Sequence, residues 1–190
     1  RELAAFSRIL GMHDEHEWDA RSTERLRLMR RYCWDGAAGC FTDYDFQSDE
    51  PSGVVCAAAF WPLVWGMATG TEAASTVRLL ASLERAHGVA TCADDEAARA
   101  RQWGYPNAWP PIQLMVVRAL ARYGYDAAAR RIATSYLSSV CDRFEKTGHL
   151  WEKYDAETGA PGSAEYEPTK MLGWSAGVFV RLADFLALSD

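Results

Sequence analysis

The stretch Arg101-Gln-Trp-Gly-Tyr-Pro-Asn-Ala-Trp-Pro-Pro-Ile-Gln113 gathers two indoles, a phenol, carboxamides and a guanidinium around three prolines. Proline has no N–H, fixes its own φ and pushes the residue before it into extended backbone, so Pro106 and Pro110-Pro111 forbid an uninterrupted helix. The segment is predicted to be a rigid loop that feeds a helix. Flat apolar rings beside amide donors and acceptors suit a pyranose, which offers an apolar C–H face and a rim of hydroxyls. Gln102, Trp103, Asn107 and Trp109 are therefore the candidate sugar contacts. The competing reading is a loop whose tryptophans plug a core.

Outward from this loop the chain reads as helices. Pro111 to Tyr123 is apolar, Gly124 breaks it, and Tyr125-Asp-Ala begins a long helix reaching about Lys146. Upstream the same order occurs: an apolar helix from Val55 to Ala68 with Pro62 at a first turn or a kink, then Gly70, then a helix from Thr71 to Ala86. Met171 to Leu188 is a further apolar helix. Near the start, Leu3, Phe6, Ile9 and Leu10 mark a helix stopped by Gly11, and Glu17 to Trp34 is amphipathic with its arginines on a solvated face. Cys40 to Phe46 is a short extended or irregular piece, either touching a sugar or pinned to the core by Phe41, Tyr44 and Phe46. An apolar helix, a glycine turn and a more polar helix cannot bury their apolar faces alone, so such pairs stack. The prediction is one all-α domain over residues 1–190, with inner and outer helices of a toroid.

Composition limits what the chain can be. Its 190 residues are 49% hydrophobic and 24% charged, a globular balance, and a net charge of −6 argues against a nucleic-acid surface. The apolar stretch from Val54 to Val64 is broken by Pro62 and is too short to span a bilayer. No nucleic-acid or membrane partner is expected. The five cysteines, Cys33, Cys40, Cys56, Cys92 and Cys141, lack paired spacing and read as free buried thiols, which favours a reducing, cytoplasmic compartment. His13 and His16 stand among Asp14, Glu15 and Glu17 and read as a solvated turn rather than a metal site. Neither a metal nor another cofactor is expected. The sequence opens on Arg1, so a leader cannot be judged.

The proline-tryptophan loop also resembles the Gln-Trp-Asp-x-Pro-Asn-Gly-Trp signature of the trehalases. Trp151-Glu-Lys-Tyr-Asp155, Glu165-Tyr166 and Gly173-Trp174-Ser-Ala-Gly-Val178 follow in the order that family shows. Departures are Gly104 where an Asp is usual, Ala108 and Ala164 for glycines, and Leu172 for a Phe. The resemblance implies an (α/α)6 toroid and inverting hydrolysis of an α-glucosidic bond, with a small carbohydrate such as α,α-trehalose as substrate. With about seven predicted helices of ordinary length, the chain looks like the C-terminal half of such a barrel. Its partner would be the missing N-terminal half or a second copy.

In that family the Glu of the Glu-Lys-Tyr-Asp motif is the general base, which carries over to Glu152. Gly148 ends the long helix and leaves Glu152 on a loop between Trp151 and Tyr154, where aromatic side chains could orient it against a water. Glu165 matches a position that hydrogen-bonds the sugar. Trp174 opens the last inner helix, as a cleft floor or a core residue, while Tyr154 and Asp155 read as supports. The family's general acid lies in an upstream Gly-Trp-Asp-Phe-Ser-Ser-Arg motif that does not occur here. Asp19, in Glu17-Trp-Asp-Ala-Arg21, imitates it only superficially and reads as an acid near a helix N-terminus. The expectation is a trehalase-like hydrolase whose isolated chain is nearly inactive. The alternatives are a related α-glucosidase or α-mannosidase, and a non-catalytic carbohydrate-binding scaffold.

Overall fold

A computed structural model describes residues 2–162, 164–171 and 173–188. Leu172, one of the four departures named above, lies outside the described residues. Contacts divide the chain into two compact units, Arg1–Gly53 and Val54–Asp190.

The first unit holds α1 (Glu2–Ile9), α2 (Glu15–Tyr32) and two two-residue hairpins, β1 (Trp34–Asp35) with β2 (Cys40–Phe41) and β3 (Tyr44–Asp45) with β4 (Glu50–Pro51). Gly11 follows α1 at φ 65°, the left-handed conformation that a chain reversal takes and glycine tolerates. Asp19 is the fifth residue of α2, past the first turn, and pairs with Arg8 at 3.6 Å on an exposed surface. Phe41 is buried, whereas Phe46 is 82% exposed, so Phe46 does not pin this segment to a core.

In the second unit the predicted helix from Val55 to Ala68 is shorter. Val55 and Cys56 stay extended because the Val55 carbonyl accepts from Ala93 N–H and Ala57 N–H donates to the Thr91 carbonyl, and helical backbone begins with the 3-10 turn Ala57–Phe60 and continues as α3 (Trp61–Val64). Pro62 sits in the first turn of α3, where a missing N–H costs nothing. The next helix starts one residue earlier than predicted: Thr69 caps α4 (Gly70–Val77) in a reciprocal capping box with Glu72. It also ends sooner. After α5 (Leu80–Leu83), β5 (Glu84–Arg85) and β6 (Gly88–Val89) form a hairpin. Long-range bonds override the helical pattern there, since the buried Gln113 carboxamide accepts from Val89 N–H at 2.8 Å and donates to its carbonyl at 2.7 Å.

Beyond α6 (Glu96–Arg99), the loop runs into β7 (Asn107–Ala108) and then α7 (Pro110–Arg122), with Pro110 and Pro111 in the donor-free first turn. Then come α8 (Asp126–Thr147), β8 (Tyr154–Asp155) and α9 (Gly173–Ala187). α7 packs against α3, α8 and α9. Ile112, Val116, Val117 and Leu120 of α7 meet Ile132, Tyr136 and Val140 of α8 and Val178 and Leu182 of α9 in one core. Gly148 ends α8 at φ 70°. Among the five cysteines only Cys40 is buried; Cys141 is exposed and the other three are partly exposed, which corrects the expectation of buried thiols. No helix among the described residues is long and apolar enough to cross a membrane.

Candidate functional site

β7 and β8 bring the two chemistry-bearing motifs together, pairing Asn107 with Asp155 and Ala108 with Tyr154. The loop that carries Glu152 is tied down on several sides. Glu152 N–H donates to the Thr169 carbonyl at 2.8 Å, and the Trp151 N–H to the Tyr154 hydroxyl at 3.2 Å. The first turn of α9 adds two bonds: Ser175 Oγ to the Trp151 carbonyl at 2.6 Å and Trp174 Nε1 to the Glu152 carbonyl at 3.1 Å. Asp155 Oδ1 accepts from Glu157 and Thr158 N–H and closes the turn that follows.

The Glu152 carboxylate is held at one oxygen. Oε2 accepts from Lys153 Nζ at 3.0 Å and from the Tyr166 hydroxyl at 2.5 Å. Tyr166 also lies 2.9 Å from Gln102 Oε1. A phenol has one proton, and the carboxylate is the stronger acceptor. The Gln102 carboxamide therefore serves the phenol best with its NH2 turned toward it, giving a relay from Gln102 through Tyr166 to Glu152. Lys153 is 1% exposed, with Nζ 3.8 Å from the Tyr166 ring centre and 4.9 Å from that of Trp109. Its ammonium thus finds one anion and two π-faces in place of water.

The tryptophans form a layered cluster. Trp103 stacks on Trp109 with ring centres 4.1 Å apart and planes 8° from parallel, and Trp174 meets Trp109 edge-on at 5.4 Å. Trp103 is 45% exposed and Trp174 36%, whereas Trp109 is 1% exposed, with Nε1 bonded to the Gln102 carbonyl at 2.8 Å. Asn107 is buried too, and its Oδ1 lies 2.6 Å from where a Cβ on Gly162 would stand. Glu165, at φ 61°, lies 3.5 Å from Arg101 in an exposed ion pair. Of the predicted residues, Gln102, Trp103, Trp109, Glu152 and Trp174 are joined by direct contacts. Asn107 and Glu165 flank them on neighbouring backbone.

Gly104 has a steric cause. A Cβ there would run into the Ala98 backbone carbonyl at the end of α6, so an Asp requires that turn to move. Gly104→Asp is expected to cost about 1–3 kcal/mol, as overpacking does, and to lower the melting temperature by several degrees. Unchanged thermal unfolding would mean that the turn yields freely.

Lys153 and Tyr166 hold the carboxylate, and the sequence signals them only as a lysine between Trp151 and Tyr154 and a phenol beside Glu165. Burial first, then the bond to Glu152, raises the Tyr166 phenol above its usual value. Burial likewise raises Tyr105, Tyr136 and Tyr154. A group with a raised folded pKa stabilises in full below its unfolded value, about 10 for tyrosine, and that stability is lost as pH rises through the folded value. Alkaline unfolding above about pH 10 should therefore coincide with late phenolate absorbance. Ionisation of all eight tyrosines with native circular dichroism intact would contradict this.

A cavity between α8 and α9, lined by Val140, Phe144, Leu150, Phe179 and Val180, contains none of the predicted site residues. Among the described residues no three His, Cys, Asp or Glu side chains gather as a metal site.

The family model for trehalase matches residues 1–187. The chain belongs to the trehalase family. It is 37% identical over 195 aligned residues to a periplasmic trehalase of Xanthomonas axonopodis pv. citri, covering 100% of this chain and 33% of that protein. A periplasmic trehalase of Pseudomonas aeruginosa is 35% identical over 171 residues, 88% of this chain and 31% of that one. The chain thus spans about a third of the length of these trehalase-family relatives. In three dimensions it resembles neutral trehalase Nth1 from Saccharomyces cerevisiae with a TM-score of 0.75 and 28% identity, over 90% of this chain and 31% of that one. A GH63 mannosylglycerate hydrolase from Thermus thermophilus shares the fold at TM-score 0.72 and 23% identity, over 96% and 43% of the two chains. The fold is all-α, with helix pairs of the (α/α) toroid type seen in the trehalase family.

Proposed function

We propose that this chain supplies the sugar platform and the general base of an inverting glycoside hydrolase that cleaves α,α-trehalose to glucose, as one part of a larger catalytic domain. The observation that carries the reading is the Glu152 carboxylate. Lys153 and Tyr166 fix Oε2, which leaves Oε1 to accept a proton from water, and the Trp103 and Trp174 faces lie alongside for the sugar. Trp109 serves from beneath, as the layer that sets the Trp103 plane. Gln102 and Glu165 read the sugar hydroxyls. Inversion needs a second carboxyl about 6.5–9.5 Å from the first, protonated to assist the leaving oxygen. That acid belongs to a region this sequence does not include, so the chain alone is nearly inactive.

A second reading, another α-glucoside or an α-mannoside as substrate, is favoured by Gly104, where the trehalase pattern has an Asp whose Cβ would here meet the Ala98 carbonyl. The Xanthomonas and Pseudomonas relatives are periplasmic trehalases, and we infer that compartment in preference to the cytoplasm suggested by the cysteines.

The test offers α,α-trehalose and a panel of other α-linked disaccharides to the chain alone and to the chain joined to the region of a periplasmic relative that it does not cover. Trehalose should change tryptophan fluorescence in both and release glucose only in the joined protein. Glucose release by the chain alone would refute the missing acid. A preference for another sugar would select the second reading, and binding without hydrolysis in the joined protein would select a carbohydrate-binding scaffold.

A further inference from the structure

Cys56 and Cys92 face each other across an isolated antiparallel bridge. The backbone bonds framing it run from Ala57 N–H to the Thr91 carbonyl, 2.8 Å, and from Ala93 N–H to the Val55 carbonyl, 2.9 Å. Neither cysteine makes these bonds with its own backbone groups, so the two are a non-hydrogen-bonded pair. In such pairs the Cα atoms stand about 4.5 Å apart and the side chains come closest. That separation lies within the span of about 4.4–6.8 Å that a disulfide bridges. Both residues are partly exposed, so a reagent can reach them. The other cysteines are placed differently: Cys40 is buried opposite Asp35, the Cys33 carbonyl accepts from Thr42, and Cys141 lies on α8.

We propose that Cys56 and Cys92 are a redox pair that closes a cross-strand disulfide. The oxidant is a disulfide such as oxidised glutathione. The thiolate of one cysteine attacks it, forming a mixed disulfide and releasing one glutathione thiol. The thiolate of the other cysteine then displaces the second glutathione. Two thiols of the protein become one disulfide, and the two electrons they lose leave with two molecules of reduced glutathione. The bond would join the strand entering the 3-10 turn to the loop that leads toward the tryptophan cluster. It would also remove a contact, because the Cys92 S–H now donates to the Trp103 carbonyl at 3.4 Å and an oxidised sulfur has no proton to give. Oxidation thereby acts on the backbone of the exposed indole.

To test this, the full chain is equilibrated with oxidised and reduced glutathione, remaining thiols are alkylated, and the protein is cut without reduction by trypsin and chymotrypsin. These cuts separate residues 47–60, which hold Cys56, from the other cysteines. The expected product joins residues 47–60 to 86–99 and disappears on reduction. Oxidised protein should melt roughly 5–10 °C above reduced protein, because the closed loop restricts the unfolded chain. Cys56→Ser should show no oxidant-dependent rise. Alkylation of both cysteines after equilibration, a crosslink from Cys56 to a different cysteine, or an oxidised form melting no higher than the reduced one would each overturn the proposal. None of these readouts depends on hydrolysis, so they stand apart from the test of the trehalose reading.

Discussion

Glu152→Gln, introduced into the joined protein described above, is expected to lower hydrolysis about 10²–10⁴-fold, the range a positioned acid or base contributes. At about 1.36 kcal/mol per decade this is roughly 2.7–5.4 kcal/mol of transition-state stabilisation. The amide has nearly the same shape as the carboxylate and keeps an oxygen that can accept from Lys153 and Tyr166. It cannot take a proton from water. The loss should therefore fall on kcat, with sugar binding retained, since an interaction made only as the water is deprotonated does not hold the ground state. Stability should fall as well, by up to about 3–5 kcal/mol, because the buried Lys153 ammonium loses the anion beside it and keeps only the amide oxygen and the faces of Tyr166 and Trp109. Unchanged turnover in this variant would remove Glu152 from the chemistry and move the base elsewhere.

How far the sequence discloses this arrangement depends on the range of the forces involved. α7 and α8 are readable within a residue or two, because prolines at the start, Gly124 between them and Gly148 at the end act locally. The stretch from Thr71 to Ala86 misleads for the opposite reason. Its pattern is helical, yet Gln113, far along the chain, takes both backbone groups of Val89, and Arg131 grips Glu84 with two bonds. Within the candidate site, Glu152 and the tryptophans are visible as motifs. What holds them is not. A lysine in a loop reads as solvated until the packing places it under Tyr166 and Trp109, and nothing local distinguishes the exposed indole of Trp103 from the covered one of Trp109.

That distinction between two tryptophans leads to the second large effect. Trp109→Ala is expected to destabilise the protein by about 3–5 kcal/mol, as deletion of a fully buried aromatic does, lowering the melting temperature by roughly 6–20 °C for a chain of this size. Four contacts are lost together: the stack under Trp103, the edge contact with Trp174, the bond from Nε1 to the Gln102 carbonyl, and the face toward Lys153. The emptied space itself costs most, and the Lys153 ammonium, which keeps Glu152 and the nearer Tyr166 face, adds the smaller loss of one π-face. Trp103→Ala removes a half-exposed ring and should cost less than about 1.5 kcal/mol of stability, yet abolish most sugar-induced fluorescence change if that face is where the pyranose stacks. The pair is informative because the predictions cross: large in stability for Trp109, large in binding for Trp103. Equal melting temperatures for the two variants would show that the layering assigned to them is wrong, and undiminished sugar binding by Trp103→Ala would remove that indole from the platform.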